Sequence, residues 1–456
     1  MAQLTGTQNA DLLVGTDEAD TIHGADGNDR LLGLAGNDSL DGEGGDDTLV
    51  GSDGDDTADG GPGRDQIAGG NGTDLIWGSE GADTIDGNDG ADEIVGDSDA
   101  ILGGDDDLIA GGGGNDTILG MGGGDQILGG PGDDRLSGDG WDPTNPLPNL
   151  ADTLRGGQGA DTILGGGGDD RLFGDLDDDA LHGDVGADLI FGGPGNDQLV
   201  GDDPATGSSA DTLFGGLDED GLYGFGGDDW LYGDIGKDFL SGGWGNDSAF
   251  GGDGRDAVFG DAGNDSILGG PNADLFALQD ELLVGGEGDD TIHGGADDDL
   301  VLGGPGQDSL MGDRDADSVH GGAGDDTVAG GDGDDTVAGD GGNDSVFGNG
   351  GRDTLLAGPG NDHLEGGDGD DVILLDRAPI GHDSVVGFET GSDIVRIPQL
   401  FGGLAIGDPS AMAARVLALG GNAVVDLGEA GSLTFVGIAA DAVKASPAAF
   451  FSFYEM

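Results

Sequence analysis

The chain has 456 residues, with 95 acidic side chains against 13 lysines and arginines, a net charge of −82, 107 glycines and no cysteine. A charge of that sign and size is repelled by nucleic acid and by anionic membrane, and the absence of thiols excludes disulfides and thiolate metal centres. A chain so acidic and so rich in glycine has little apolar surface to offset the entropy of ordering it, so composition alone predicts disorder.

Periodicity predicts the opposite. Residues 1–5, MAQLT, and the stretch after them carry neither a basic segment nor an apolar run, so no cleavable export signal is expected there. No stretch of the chain is long and apolar enough to be expected to span a membrane as a helix. From Gly6 a nine-residue pattern, G-G-x-G-x-D-x-U-x with U a large aliphatic residue, runs to Leu374. Its sixth place in residues 6–95 is Asp11, Asp20, Asp29, Asp38, Asp47, Asp56, Asp65, Asp74, Asp83 and Asp92. Residues 96–200 continue with Asp107, Asp116, Asp125, Asp134, Asp152, Asp161, Asp170, Asp179, Asp188 and Asp197. Residues 201–284 supply Asp211, Asp220, Asp229, Asp238, Asp247, Asp256, Asp265 and Asp274. An unbroken run over 285–374 supplies Asp290, Asp299, Asp308, Asp317, Asp326, Asp335, Asp344, Asp353, Asp362 and Asp371.

Of these 38 aspartates, 37 keep phase with an aliphatic residue two places on and Asp274 with Phe276, which a disordered acidic linker has no reason to do. Places seven to nine read as a short strand that points U inward and its neighbours outward. The glycines permit turn conformations that a Cβ would penalise. One aliphatic residue per nonapeptide makes a thin core, so further stabilisation has to come from elsewhere. A hard cation that takes six to eight oxygens suits turns offering carboxylates and free backbone carbonyls.

Three nonapeptides are lengthened, at 96–110, 138–155 and 201–214. All are odd-numbered counting from Gly6, so if two nonapeptides make one coil their loops should leave one edge. The stretch 275–284 breaks phase in another way, and the sequence leaves open whether it is one long turn or an extra short repeat. In odd nonapeptides seventeen to twenty-seven, place nine reads Phe173, Phe191, Phe214, Tyr232, Phe250 and Leu268, which on the same two-nonapeptide coil would form an outer ladder of side chains about 4.8 Å apart. The even nonapeptides of that stretch carry the patchier set His182, Val200, Tyr223, Ser241, Phe259 and Ala277.

The character changes near Leu375: the last 82 residues hold 11 glycines and no nonapeptide. Residues 382–397 and 421–438 alternate apolar and polar residues like strands of a small antiparallel unit, with a short helix expected at 409–420. The chain ends on ASPAAFFSFYEM. Neither an H-E-x-x-H metal motif nor a G-x-S-x-G nucleophile elbow is present, and five residues before the first repeat leave no room in this sequence for a preceding catalytic domain. The reading is therefore of a chain that is not an enzyme.

The nonapeptide over residues 6–374 resembles the calcium-binding repeat of the repeats-in-toxin (RTX) family, exported by type I secretion. That resemblance implies an all-β fold: a calcium-loaded parallel β-roll with two nonapeptides per coil over residues 1–374, and a small β-rich C-terminal cap over 375–456. It implies calcium between equivalent turns of neighbouring coils, up to about 36 ions, held by the 38 aspartates named above. It also implies an uncleaved C-terminal signal for a type I secretion apparatus and an extracellular or cell-surface location. The function expected is a secreted calcium-binding structural or interaction protein, a calcium-rigidified rod in a surface layer, extracellular matrix or biofilm. Its partners would be calcium, further copies in a filament or lattice, and cell-surface polysaccharide. The alternative is a secreted enzyme or carbohydrate-binding accessory module with its site on the roll face or in the C-terminal unit.

Overall fold

A computed structural model describes residues 1–97, 105–139, 150–202, 208–270, 281–375, 379–401, 404–405 and 408–454. It is 58% strand and 4% helix, a parallel β-solenoid of about 20 turns. The chain divides into two compact bodies, Met1–Ile235 and Gly236–Met456.

In the first body, strands alternate between two parallel sheets. Thr48–Asp53 pairs with Gln66–Asn71 in one, placing Leu49 opposite Ile67. Thr57–Pro62 pairs with Leu75–Glu80 in the other, placing Ala58 opposite Ile76. Partners lie two nonapeptides apart, so two nonapeptides make a coil, as the family resemblance implies. Place eight from both sheets fills the interior: Leu31, Leu40, Leu49 and Ile76 are at most 1% exposed. Place one, two residues on, faces the same way, and this is why the repeat puts glycine there.

The three lengthened nonapeptides behave as expected. Their loops follow Glu93–Asp97, Arg135–Ser137 and Gln198–Asp202 of one sheet and lead into Leu108–Gly113, Thr153–Gln158 and Thr212–Leu217 of the other. All three insertion points therefore share an edge of the first body. Most of each loop, at 98–104, 140–149 and 203–207, lies outside the described residues.

On the outer face of the first body, Phe173, Phe191, Phe214 and Tyr232 form the ladder that place nine predicts. Successive ring centroids are 5.2, 4.9 and 4.7 Å apart, with planes within 7° of parallel. The Arg155 guanidinium sits 4.9 Å from the Phe173 centroid and 3.1 Å from the Asp175 carboxylate. Phe250 belongs to the second body, where it lies opposite Leu268.

The second body has the same two-sheet winding within itself, on both sides of the phase break. Ser266–Gly270 of one sheet is followed by Leu282–Glu287 of the other, with Leu282 opposite Ala257. Residues 271–280, on which the choice between one long turn and an extra short repeat turns, lie outside the described residues. Val284, rather than Ala277, lies opposite Phe259; Ala277 is outside the described residues.

The C-terminal stretch departs from the sequence expectation. Gly381–Val386 and Ile394–Pro398 do not pair with each other as an antiparallel unit. They continue the two sheets in parallel, placing Val385 opposite Leu364 and Val395 opposite Ile373. The reason lies in their D-x-U spacing, which still puts an aliphatic residue on the inner face after the glycines are gone. Among the described residues, antiparallel pairing is confined to a meander of Val416–Leu419, Asn422–Asp426 and Gly431–Phe435 and to the short pair Leu400–Phe401 with Leu404–Ala405. The meander's last strand docks in parallel on Gly381–Val386, and Phe451–Tyr454 docks on Ile394–Pro398. The helix is shorter than expected, Pro409–Ala413, with Asp408 capping its start by accepting the Ala411 N–H. Phe388, Phe435, Phe450 and Phe451 pack as a ring cluster with centroids 5.0–6.3 Å apart.

Candidate metal centre: a ladder of turn carboxylates

Strand pairing brings place six of each nonapeptide over place six of the nonapeptide two further on. The Asp29 N–H donates to Oδ1 of Asp47, Asp47 to Asp65, and Asp65 to Asp83, at 2.7–2.8 Å. The ladder is kept across the insertions, where Asp125 donates to Asp152 at 2.6 Å and Asp188 to Asp211 at 2.8 Å. The same residues use their backbone carbonyls for the sheet, as where Asp29 O accepts the Thr48 N–H at 2.9 Å. One oxygen is left over. Among the described residues, Oδ2 of Asp29, Asp38, Asp47, Asp65, Asp107, Asp152, Asp188, Asp290, Asp326 and Asp371 is buried with no hydrogen-bond partner.

What surrounds that oxygen is more oxygen. A Cβ built on Gly165 would lie 2.5 Å from Oδ2 of Asp170 and 2.8 Å from the carbonyl oxygen of Gly183 in the next coil. At Gly321 the same two approaches, from Asp326 and Gly339, are 2.6 and 2.7 Å. Glycine at place one thus admits a carboxylate and a carbonyl that converge without a donor between them. At place four, Gly186 has φ +138° and an added Cβ would run into the Gly168 carbonyl, so the turn is closed to any side chain there. Gly165→Ala is expected to destabilise the calcium-loaded chain by about 1–3 kcal/mol through overpacking. It should also weaken calcium binding; calcium-dependent thermal melts read both.

Electrostatics agree with geometry. Burial pushes the Asp65 carboxyl up to about 7, against the hydrogen bond it accepts from Asp47, and the Asp83 and Asp47 carboxylates raise it further. Burial likewise raises Asp107 to about 8, Asp152 to about 9 and Asp188 to about 8. Without a cation these sites favour a proton, because two negative or partly negative oxygens face each other away from water. An all-oxygen, donor-free, buried set is the chemistry of a hard divalent cation.

The sequence-predicted residues do not all share this environment. Oδ2 of Asp11 accepts from the Thr7 N–H and hydroxyl at 2.6 and 2.8 Å. Oδ2 of Asp20 accepts from Thr16 in the same way, and the Ala2 N–H, foremost among its partners, holds the Asp20 carboxyl down at about 2. Threonine at place two closes those two turns from within. Asp274 lies outside the described residues, and Glu281 takes the ladder position that counting gives it: its N–H donates to Asp299 at 3.1 Å and its carbonyl accepts from Leu300.

Counting also misses two members at the far end. Asp362 donates to Asp383 at 3.2 Å and Asp371 to Asp393 at 3.3 Å. The signal was present, since Asp383 and Asp393 stand two places before Val385 and Val395. Oδ2 of Asp393 is closed by the Glu389 N–H at 2.6 Å.

The RTX calcium-binding nonapeptide repeat matches the chain in eleven segments between residues 5 and 377, among them 5–40, 149–181, 206–240 and 311–346. No curated protein matches the chain. The repeat is one that binds calcium, and the stacked turns here present the oxygens such an ion takes. With matches spread over most of its length, the chain belongs to the family of RTX calcium-binding nonapeptide-repeat proteins.

Proposed function

We propose that this chain is a secreted scaffold, rigidified by calcium that the place-six carboxylates of its stacked turns hold. The observation that carries this reading is the row of buried Oδ2 atoms facing next-coil carbonyls with no donor between them. Asp170 and Asp326 stand for the turns that would hold an ion. Asp11, Asp20 and Asp393, already closed by protein donors, contribute less. Calcium would supply the positive charge that lets these carboxylates stay ionised out of water. Equilibrium dialysis tests this: Asp170→Asn together with Asp326→Asn should lower the calcium bound at saturation, whereas Asp11→Asn should not.

Residues 375–456 act in this reading as the cap that closes the last coil, since the meander and Phe451–Tyr454 cover the strands at 381–398. The export signal belongs to the same segment. Calcium-poor cytosol would keep the chain unfolded for passage, and calcium outside would fold it.

The scaffold's contact face is the aromatic ladder of the first body. Leu217 is 45% exposed, Trp230 47% and Ile235 52%, so the rings lie within a wider apolar surface on an otherwise acidic protein. Soluble monomers seldom leave such a surface open. The stacked rings cover each other's faces and leave edges outward, which suits packing against another apolar face better than stacking on a sugar. Phe191→Ser with Phe214→Ser should leave calcium-driven folding largely intact while weakening self-association in sedimentation velocity. If association survives and the melting temperature falls instead, the ladder is only internal support.

A further inference from the structure

The histidines of the roll follow a pattern of their own. His23, His182, His293 and His320 all occupy place nine, an outward position. Each has a carboxylate twenty residues on: Glu43, Asp202, Asp313 and Asp340. Strand register makes that spacing a diagonal contact between adjacent coils. Nδ1 of His293 lies 3.1 Å from Asp313 and Nδ1 of His320 lies 3.2 Å from Asp340.

At His23 the directly opposed place nine is also acidic. His23 stands opposite Asp41, whereas His182 faces Val200, His293 faces Met311 and His320 faces Ala338. The result is a three-donor group. His23 Nδ1 is 3.1 Å from Asp41 Oδ2 and 3.9 Å from Glu43 Oε1, and the three ligand atoms lie within 4.8 Å of one another. The Glu43 N–H donates to the other Asp41 oxygen at 3.1 Å, which orients Oδ2 toward the imidazole.

We infer that His23, Asp41 and Glu43 bind a borderline divalent cation of the zinc class, at a site separate from the calcium ladder. Zinc bonds of about 2.0–2.2 Å to nitrogen and oxygen require tetrahedral donors about 3.3–3.5 Å apart. The two separations from His23, 3.1 and 3.9 Å, bracket that value and the Asp41–Glu43 pair lies within 4.8 Å, so side-chain adjustment of exposed groups closes the site. Imidazole selects against calcium and magnesium, which take oxygen ligands. The three side chains are 38–50% exposed, so a fourth position faces solvent, open to water or to a donor from another molecule.

The test uses the full chain saturated with calcium, titrated with zinc chloride in a calorimeter. One zinc site per chain is expected above the background of weak carboxylate binding. His23→Ala should abolish it, Glu43→Gln should weaken it by about tenfold or more, and His320→Ala, which removes only a two-donor pair, should leave it unchanged. Cobalt should give a tetrahedral visible band that His23→Ala removes and zinc displaces. Circular dichroism in calcium controls for folding, with Asp41→Asn as a second variant should His23→Ala disturb it. The inference is overturned if zinc binding does not depend on His23, if excess calcium displaces the zinc, or if His320→Ala has the same effect.

Discussion

Stripping calcium from the protein with a chelator is expected to abolish most of its β-sheet circular dichroism, and returning millimolar calcium should restore it. The nonapeptide buries one aliphatic side chain per nine residues, with alanine in that role at Ala58 and Ala249. That is a thin core against the entropy of ordering so many glycines. The turn carboxylates make matters worse when no cation is bound, since buried like charges repel and their desolvation is uncompensated. Over residues 1–374 the net charge is −77, so ions in the turns also remove the repulsion that expands the chain. Magnesium should substitute poorly, because it demands a smaller octahedral shell and gives up water reluctantly. Spectra unchanged by chelation would remove the central functional claim.

Acid is expected to replace calcium in part. With chelator present, the most buried ladder carboxyls have their pKa raised on folding above the ordinary carboxylate value. Burial and neighbouring carboxylates place Asp65 and Asp353 at about 7, Asp179 and Asp317 at about 8, and Asp152 at about 9. The folded form therefore binds more protons than the unfolded form between these limits. Its stabilisation by protons is full below about pH 4 and is lost as pH rises through about 6–9. Lowering the pH of the chelated protein from 8 toward 4 should raise its β content, the reverse of ordinary acid denaturation. With calcium present, the same protons compete for Oδ2, so calcium affinity should fall as the solution is acidified. Circular dichroism along both titrations checks the sign. A chelated chain that is β-structured at pH 8 and unfolds on acidification would show that its carboxylates are not buried as the ladder requires.

Much of this protein was legible before any coordinates because its information is local and repeated. The spacing of Asp170 and Leu172, or Asp326 and Val328, fixes which residue turns inward and which lies in the turn. The family resemblance supplied the doubling of the nine-residue period into a coil, and on that coil the odd numbering of the lengthened repeats places them on one edge. The ring ladder from Phe173 to Tyr232 follows from the same count, since parallel register carries place nine onto place nine.

Tertiary structure decided what depends on side chains from different coils or on backbone that has left the pattern. Glu281 enters the ladder because strand pairing from Leu282 to Ala257 overrides the count that favoured Asp274. Asp11 and Asp20 drop out of the open set because Thr7 and Thr16 reach their second oxygens, a local hydrogen bond that a motif count treats as neutral. Residues 381–398 join the roll because the exposed ends of two parallel sheets offer unpaired backbone to any strand with an apolar inner face. The convergence of His23, Asp41 and Glu43 arises only when separations of eighteen and twenty residues become neighbouring rungs of one sheet.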